Sequence, residues 1–237
     1  HTLDLTGKIS SNPYCTLRWS FDSPKFPTVN ASASVRWTDM NMLELGDNLL
    51  SLNFLNCSQS IYLSNMSWKL FAFNAGIRND VFSIRNIKAS QIVGDYDFEQ
   101  LSNDFISLYV NAGADTFDDG YFPTRGFSAG LSYSWVFAGF PNRFNNFHVC
   151  QAQAKVVVPG GDFFAFLPSL NFRFLLGSEI PVAYFNAMGG SLVSRYMDQQ
   201  MPFSGGTNVT AKKNILTTFR TDFRFRLVKN HYLTGIV

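Results

Sequence analysis

Apolar and polar side chains alternate along most of this chain. In the clearest run, Phe127 to Phe137, the odd positions are aromatic or aliphatic, whereas the even positions are small and mostly polar. Successive side chains of a β-strand point to opposite faces, so this pattern predicts a strand with one apolar and one polar face. The pattern recurs, with varying length and clarity, at residues 3–9, 14–21, 29–38, 49–54, 60–64, 68–77, 104–115, 148–158, 163–176 and 215–227. It predicts an all-β, antiparallel chain.

The predicted strands are long. We expect roughly ten to twelve of them, many reaching the roughly 9–11 residues that a tilted membrane strand needs. Strands of soluble proteins usually end after about five or six residues. Two stretches without alternation, Asn79 to Leu101 and Ser178 to Lys212, are predicted to be loops, and loops of that length are usually functional or disordered.

Composition separates a membrane barrel from a soluble sheet. Charged residues make up 15% of the chain, against about 25% in a typical soluble domain, so its surface is too poor in charge for water. A soluble β-sandwich also alternates, but its outward face should be rich in Lys and Glu, whereas the polar faces here carry mainly Ser, Gly, Asn and Thr. No apolar run reaches the roughly 18 residues of a membrane helix. These features predict a transmembrane β-barrel whose apolar stripes touch lipid and whose polar stripes line an enclosed interior.

One predicted inward face carries four consecutive charges, at Arg220, Asp222, Arg224 and Arg226. Buried charges are costly unless they are paired, so we expect a polar network that meets something projecting into the lumen.

The motifs that suggest catalysis or metal binding have simpler interpretations. Gly126-Phe127-Ser128-Ala129-Gly130 matches the G-x-S-x-G hydrolase signature, but alternation continues through Phe137 where a helix is required. We therefore interpret Ser128 as a lumen-facing serine and predict no enzymatic activity for this chain. Asp115 to Gly120 resembles a calcium loop in part, but Phe117 occupies a ligand position, which favours an aspartate-rich turn.

The remaining composition indicates neither a cofactor nor a nucleic-acid partner. The three cysteines are far apart and odd in number, which favours neither a disulfide framework nor a zinc site. The net charge of +2 comes from dispersed basic residues, so nucleic acid is not expected as a partner. We predict no metal and no cofactor.

Two motifs resemble those of a known family. The segment Asp119 to Gly126, with Phe122, Pro123 and Gly126, resembles the "fPt-x-G" motif that leads into a strand in the bacterial surface antigen superfamily. That superfamily comprises barrels of outer-membrane assembly factors and two-partner secretion transporters. Downstream, a segment resembles the family's sixth extracellular loop and its "GG...vRGf" signature, at Gly189, Gly190, Arg195 and Tyr196, although no glycine follows the arginine. The segment Met197 to Phe203 is similar to the branch fused to patatin-like phospholipases in Bacteroidetes.

The resemblance implies a 16-stranded barrel in the bacterial outer membrane, with residues 1–237 forming one barrel domain that is incomplete at one or both ends. In that family the loop folds back into the barrel and its arginine pairs with acidic residues, so Arg195 is expected to meet Asp222. The implied function is polypeptide or lipid translocation or insertion, or anchoring of a fused lipase. The implied partners are outer-membrane lipids, a translocated polypeptide or lipid, and fused or associated periplasmic domains. The alternative is a passive diffusion porin, which would lack the folded-back loop.

Overall fold

A computed structural model describes residues 1–9, 13–44, 47–89, 103–140, 146–189, 199–203, 209–211, 214–228 and 231–237. Within these ranges the side chains are described except at 39–44, 47–52, 84–89, 182 and 209–211. No helix among the described residues is long and apolar enough to span a membrane.

Eleven strands form one antiparallel sheet. They are β1 (Thr2–Lys8), β2 (Tyr14–Phe21), β3 (Thr28–Glu44), β4 (Asp47–Trp68), β5 (Phe71–Ala89), β6 (Asp104–Asp115), β7 (Gly126–Phe140), β8 (Phe147–Pro159), β9 (Phe164–Leu176), β13 (Ile215–Val228) and β14 (His231–Ile236). Each pairs with the next in this order, and β1 and β14 form the two edges of the described sheet, which is therefore not closed. The prediction of an antiparallel all-β chain with ten to twelve strands is confirmed.

A second, smaller sheet lies in the connection between β9 and β13. A 3-10 turn at Val182–Tyr184 precedes β10 (Asn186–Met188), which pairs in parallel with β11 (Gln200–Met201) and antiparallel with β12 (Val209–Ala211). The predicted loop 178–212 therefore contains short strands of its own.

The prediction of a loop from Asn79 is wrong for residues 79–89, which belong to β5. The alternation is obscured there because Asp80 and Phe82 share the inner face, and Phe82 is apolar where the neighbouring inner positions are polar. Phe82 is only 9% exposed and packs against Tyr184 of the β9–β13 connection. Because the connection covers Phe82, the inner face is apolar at this position. The alternation of apolar and polar residues along the strand is therefore lost there.

The pairing register keeps the two faces separate across the sheet. Leu131 pairs with Ala112 and Ala152 on one face, and the next residue, Ser132, pairs with Asn111 and Gln151 on the other. The outer face exposes large apolar side chains, among them Leu17, Trp19, Val35, Ile61, Ile77, Leu108, Val110, Leu131, Val156, Leu170 and Phe219. The inner face buries polar ones, including Asn30, Thr38, Asp80, Ser107, Ser134, Asn171, Arg173, Thr218, Asp222 and Arg224. This distribution is the inverse of that in a soluble protein.

The connections differ between the two ends of the sheet. One end, here the short-turn rim, carries the connections 22–27, 69–70, 116–125, 160–163 and 229–230. The opposite end, the long-loop rim, includes both of the longest connections, 90–103 and 177–214.

Candidate functional site

Polar side chains on the inner face bond to one another across neighbouring strands. Asn30 Nδ2 donates to Ser64 Oγ at 2.8 Å, and Asn111 Nδ2 donates to Asn74 Oδ1 at 2.8 Å. The hydroxyls of Ser32 and Ser60 are also 2.8 Å apart. Buried polar groups are stable when they are paired in this way, so these bonds stabilise a polar wall on the inner face.

The β9–β13 connection is anchored on this wall near the long-loop rim. The ring of Tyr184 meets the rings of Phe82, Phe105 and Phe147 edge-on, with centroid separations of 6.0, 5.2 and 4.9 Å. Each phenylalanine comes from a different strand, and Phe105 and Phe147 are fully buried. We call these four rings the Tyr184 anchor. They hold the connection against the inner face, because edge-to-face ring pairs stabilise a contact beyond the burial of apolar area.

Charged and polar groups fix the same segment. Arg173 Nη1 donates to the carbonyl oxygen of Tyr184 at 3.0 Å and to Asn186 Oδ1 at 2.5 Å. The Tyr184 hydroxyl donates to Asp80 Oδ2 at 3.5 Å, and Asp80 forms an ion pair with Arg78 at 2.9 Å. Arg173 is only 3% exposed, and the connection supplies both of these acceptors to its buried guanidinium.

The small sheet continues the anchored segment. Gly189 N donates to Met201 O at 2.9 Å, and Gln200 Nε2 donates to Gly189 O at 2.7 Å. Gly189 has φ of 147°. Of the predicted fold-back residues, Gly189 is therefore part of this folded segment, whereas Gly190, Arg195 and Tyr196 lie outside the described residues.

A cavity of about 270 Å³ lies beside the anchor. Its wall includes Arg36, Arg78 and Arg173, with Asp80 as its only carboxylate among the described residues. Tyr184 and Gln199 of the connection also line it, so the cavity is bounded by both the sheet and the connection.

The predicted charged cluster lies on the inner face near the short-turn rim. Arg220 binds Asp222 through two hydrogen bonds, Nε to Oδ1 at 2.7 Å and Nη2 to Oδ2 at 3.1 Å, and Asp222 is 8% exposed. Both residues line a cavity of about 260 Å³ together with Lys155 and with Pro202 of the β9–β13 connection. The connection therefore reaches the surroundings of Asp222, but the Arg195–Asp222 contact stays a prediction because Arg195 is not among the described residues.

Aspartates shape the strand-start loop, residues 116–125. Asp118 Oδ1 accepts a hydrogen bond from Thr124 N at 2.8 Å, and Asp118 Oδ2 accepts one from the Thr124 hydroxyl. These bonds, led by the hydroxyl, lower the pKa of Asp118 to about 2. Asp119 accepts hydrogen bonds from the backbone N–H groups of Phe122 and Tyr121, which lower its pKa as well. The interpretation of this segment as an aspartate-rich turn is confirmed.

The strand-start motif, residues Phe122, Pro123 and Gly126, contacts the charged cluster of β13. The Phe122 ring stacks on Tyr232 of β14 at 4.5 Å, and Pro123 O accepts a hydrogen bond from Arg224 Nη1 at 2.9 Å. Gly126, the third motif residue, starts β7 with φ of 105°. The exposed Arg226 uses its backbone N–H to bind Phe163 O at 2.7 Å.

The residues around Ser128 do not form a hydrolytic triad. Ser128 lies within the continuous strand β7 and pairs with Asp115 and Lys155, so it is not on a strand-to-helix turn. The nearest described histidine along the chain, His148, bonds to the Tyr133 hydroxyl at 2.8 Å on the outer face. In the described part of the chain, no cluster of three or more His, Cys, Asp or Glu residues could hold a metal ion.

Sequence reasoning missed the residues that hold the connection, namely Arg78, Asp80, Arg173 and the phenylalanines of the Tyr184 anchor. Arg78 and Asp80 are two positions apart and directly follow the predicted strand 68–77. Their spacing could have indicated that the strand continues with both side chains on its inner face. The pairing of Tyr184 with Phe82 joins residues about a hundred positions apart, and no local pattern predicts it.

Comparisons with known proteins agree with this architecture. A family model described as the OMP85 superfamily matches residues 17–237. Among solved structures 31 chains match, one of them the crystal structure of BamA from Haemophilus ducreyi lacking POTRA domains 1-3. It is 12% identical, with a TM-score of 0.68 over 96% of this chain and 48% of that chain. No curated protein matches significantly. This chain thus spans about half the length of that BamA chain, and the likeness shows a shared fold.

Proposed function

This chain belongs to the OMP85 superfamily and forms a β-barrel of the bacterial outer membrane, and from that premise we propose that it inserts or translocates a polypeptide or lipid. The bacterial surface antigen resemblance predicted this family and location, and both predictions are confirmed. Outer-membrane barrels have short periplasmic turns and longer extracellular loops, so the short-turn rim faces the periplasm and the long-loop rim faces the exterior.

The observation that carries this proposal is the β9–β13 connection on the inner face. Tyr184 and Asn186 are bound to the wall, and Pro202 reaches the cavity beside Asp222. A connection held there occupies space that an open pore would give to water. A polar wall covered in part by an internal segment suits a barrel that handles a large substrate transiently.

An insertion assay tests the proposal. Liposomes containing the full-length protein receive a urea-unfolded eight-stranded outer-membrane barrel, and folding is followed by gel mobility. In a parallel arm, a fluorescent phospholipid reports movement between leaflets. We expect faster folding or faster lipid movement than in protein-free liposomes, and the arm that responds identifies the substrate class. Rates equal to those of empty liposomes in both arms would contradict the proposal.

The passive porin remains the competing function, and liposome swelling with small solutes separates the two. We expect slow swelling for the unchanged protein and faster swelling when Arg173→Ala frees the connection. Robust swelling of the unchanged protein that is insensitive to both Arg173→Ala and Arg195→Ala would favour the porin.

The finer role, anchoring a fused patatin-like lipase, stays a prediction from the resemblance of Met197 to Phe203. Phospholipase activity of the full-length protein tests it. Release of fatty acid from phospholipid by the full-length protein, together with none from residues 1–237 alone, would support a fused lipase.

A further inference from the structure

A further cavity opens at the short-turn rim, away from the Tyr184 anchor. It measures about 310 Å³ and is enclosed by the strand-start loop, the turn between β8 and β9, β13 and β14. Three arginines line it, Arg125, Arg224 and Arg226, whereas Asp162 is the only carboxylate in its wall among the described residues. The cavity therefore carries an excess of positive charge.

Arg224 is the most unusual group in this wall. Arg224 is only 8% exposed. In the described part of the chain it makes one hydrogen bond, from Nη1 to Pro123 O at 2.9 Å, and no ion pair. Its Nε has no hydrogen-bond acceptor among the described residues. The Asp119 carboxylate interacts with this cation from a distance but forms no ion pair with it. A buried guanidinium with an unused N–H donor is costly, so Arg224 can accept a further anionic partner.

Aromatic contacts hold the Arg224 guanidinium in place. Its carbon Cζ lies 5.6 Å from the centre of the Phe122 ring and 5.9 Å from that of Tyr232. Cation–π contacts of this kind restrict the orientation of a guanidinium but leave its charge unneutralised. The side chain is therefore oriented in advance for an anion.

The other two arginines are more accessible. Arg226 is exposed at the rim, and the Arg125 side chain is 82% exposed with its Nε 3.9 Å from Asp118 Oδ2. Asp118, Asp119 and Asp162 lie near these arginines and offset much of their positive charge. The match to an anion therefore rests on the guanidinium N–H donors that face the cavity.

We infer that this rim cavity binds a phosphate group. Guanidinium groups present planar pairs of N–H donors that match phosphate oxygens, and several of them around one cavity favour a group with more than two acceptor oxygens. Two sources have this chemistry, the phosphate of a lipid headgroup at the membrane surface and soluble inorganic phosphate. The inference does not depend on which substrate the barrel handles.

Phosphorus NMR of the protein in an uncharged detergent tests the inference with two probes. The first is inorganic phosphate, and the second is dihexanoyl phosphatidylglycerol, with acetate as a competitor. We expect saturable line broadening of at least one probe, and the responding probe identifies the source. We expect Arg226→Gln and Arg224→Lys each to weaken binding about tenfold, because each removes a charge-assisted hydrogen bond or its planar geometry.

A matched control is Lys69→Gln, which removes an exposed cation from the same rim outside the cavity. It should bind like the unchanged protein, and heat-dependent gel mobility should show that all variants are folded. Since Arg226 is exposed, its variant stays informative even where Arg224→Lys fails to fold. Absence of saturable broadening with both probes, retained binding in folded Arg226→Gln, an equal loss in Lys69→Gln, or equally effective competition by acetate would each overturn the inference.

Discussion

At the scale of single residues, the start of β7 depends on a backbone position that only glycine fits. A Cβ on Gly126 would lie 2.4 Å from Thr116 O, and its φ of 105° is rarely adopted by other residues. Thr116, at the opposite end of the loop, binds the start of β7, because its backbone N–H donates to Phe127 O at 2.8 Å. The conformation of Gly126 thus positions Phe122 and Pro123 against β13 and β14.

Gly126→Ala should lower the free energy of unfolding by about 1–3 kcal/mol, the usual cost of strained backbone. Gly120→Ala is the matched control, because a Cβ there meets nothing within 4 Å, and it should change stability by less than about 0.5 kcal/mol. Urea unfolding followed by tryptophan fluorescence measures both. Equal stability of the two variants would show that the Gly126 geometry is not required.

The low pKa of Asp118, about 2, predicts the response of the strand-start loop to acid. A carboxylate whose pKa is lower in the folded state contributes stability above its unfolded value, about 3.9, and loses it as the pH falls through the folded value. The Thr124 amide resonance should therefore stay constant from pH 6 to about 4 and shift only as the pH approaches 2.

An NMR titration of the Thr124 amide measures this response. Asp118→Asn removes the titrating group, so the low-pH shift should disappear in that variant. A midpoint near pH 4 in the unchanged protein would contradict the hydrogen bonds assigned to Asp118.

At the scale of elements, the ring of Tyr184 and the side chain of Arg173 hold the β9–β13 connection on the inner face. Tyr184 is 7% exposed although it lies in a connection, and Arg173 donates a hydrogen bond to the backbone carbonyl oxygen of Tyr184 itself. Connections are usually surface features, so burial of this residue marks the segment as part of the barrel interior.

Tyr184→Ala should release the connection, because it removes the ring that contacts three phenylalanines. Truncation of a buried aromatic side chain costs about 3–5 kcal/mol, and here the loss should favour local opening of residues 177–214. Limited proteolysis of the detergent-solubilised protein should show much faster cleavage in that range.

Two controls define the role of the ring. Tyr184→Phe keeps the aromatic contacts and loses the 3.5 Å hydrogen bond to Asp80, so its cleavage rate should stay close to that of the unchanged protein. Tyr121→Ala alters a tyrosine that is 89% exposed and should have no effect. Cleavage of Tyr184→Ala at the unchanged rate would mean that the anchor does not hold the connection.

The same elements show what the sequence could and could not predict. Strand β7 was predictable because one face meets lipid and the other a polar interior, which gives strict alternation. The far half of β5 was not, because Phe82 faces the connection rather than water. The shared face of Arg220 and Asp222 follows from period-two spacing, whereas the contact of Arg224 with Pro123 joins residues 101 positions apart and depends on the fold.

At the scale of the whole molecule, the arrangement of polarity explains why the sheet belongs in a membrane. Near the middle of β7, Leu131 is 57% exposed on the outer face. Its neighbour Ser132 lines the inner cavity of about 270 Å³ beside the Tyr184 anchor, together with Ser134 and Gln151. In water the exposed apolar face would favour association between copies, whereas in lipid the same face is solvated by hydrocarbon.

Adjacent substitutions in β7 test this arrangement. Leu131→Arg places a charge in hydrocarbon and should destabilise the folded barrel by about 2–4 kcal/mol, the cost of an arginine near the bilayer midplane. Ser132→Arg adds the same charge one position later, where the inner cavity has room for it, and should cost much less. Refolding into lipid vesicles at graded urea concentrations, followed by gel mobility, measures both free energies. Since the two variants gain the same charge in the same strand, a larger loss for Ser132→Arg would mean that the two faces have been assigned the wrong way round.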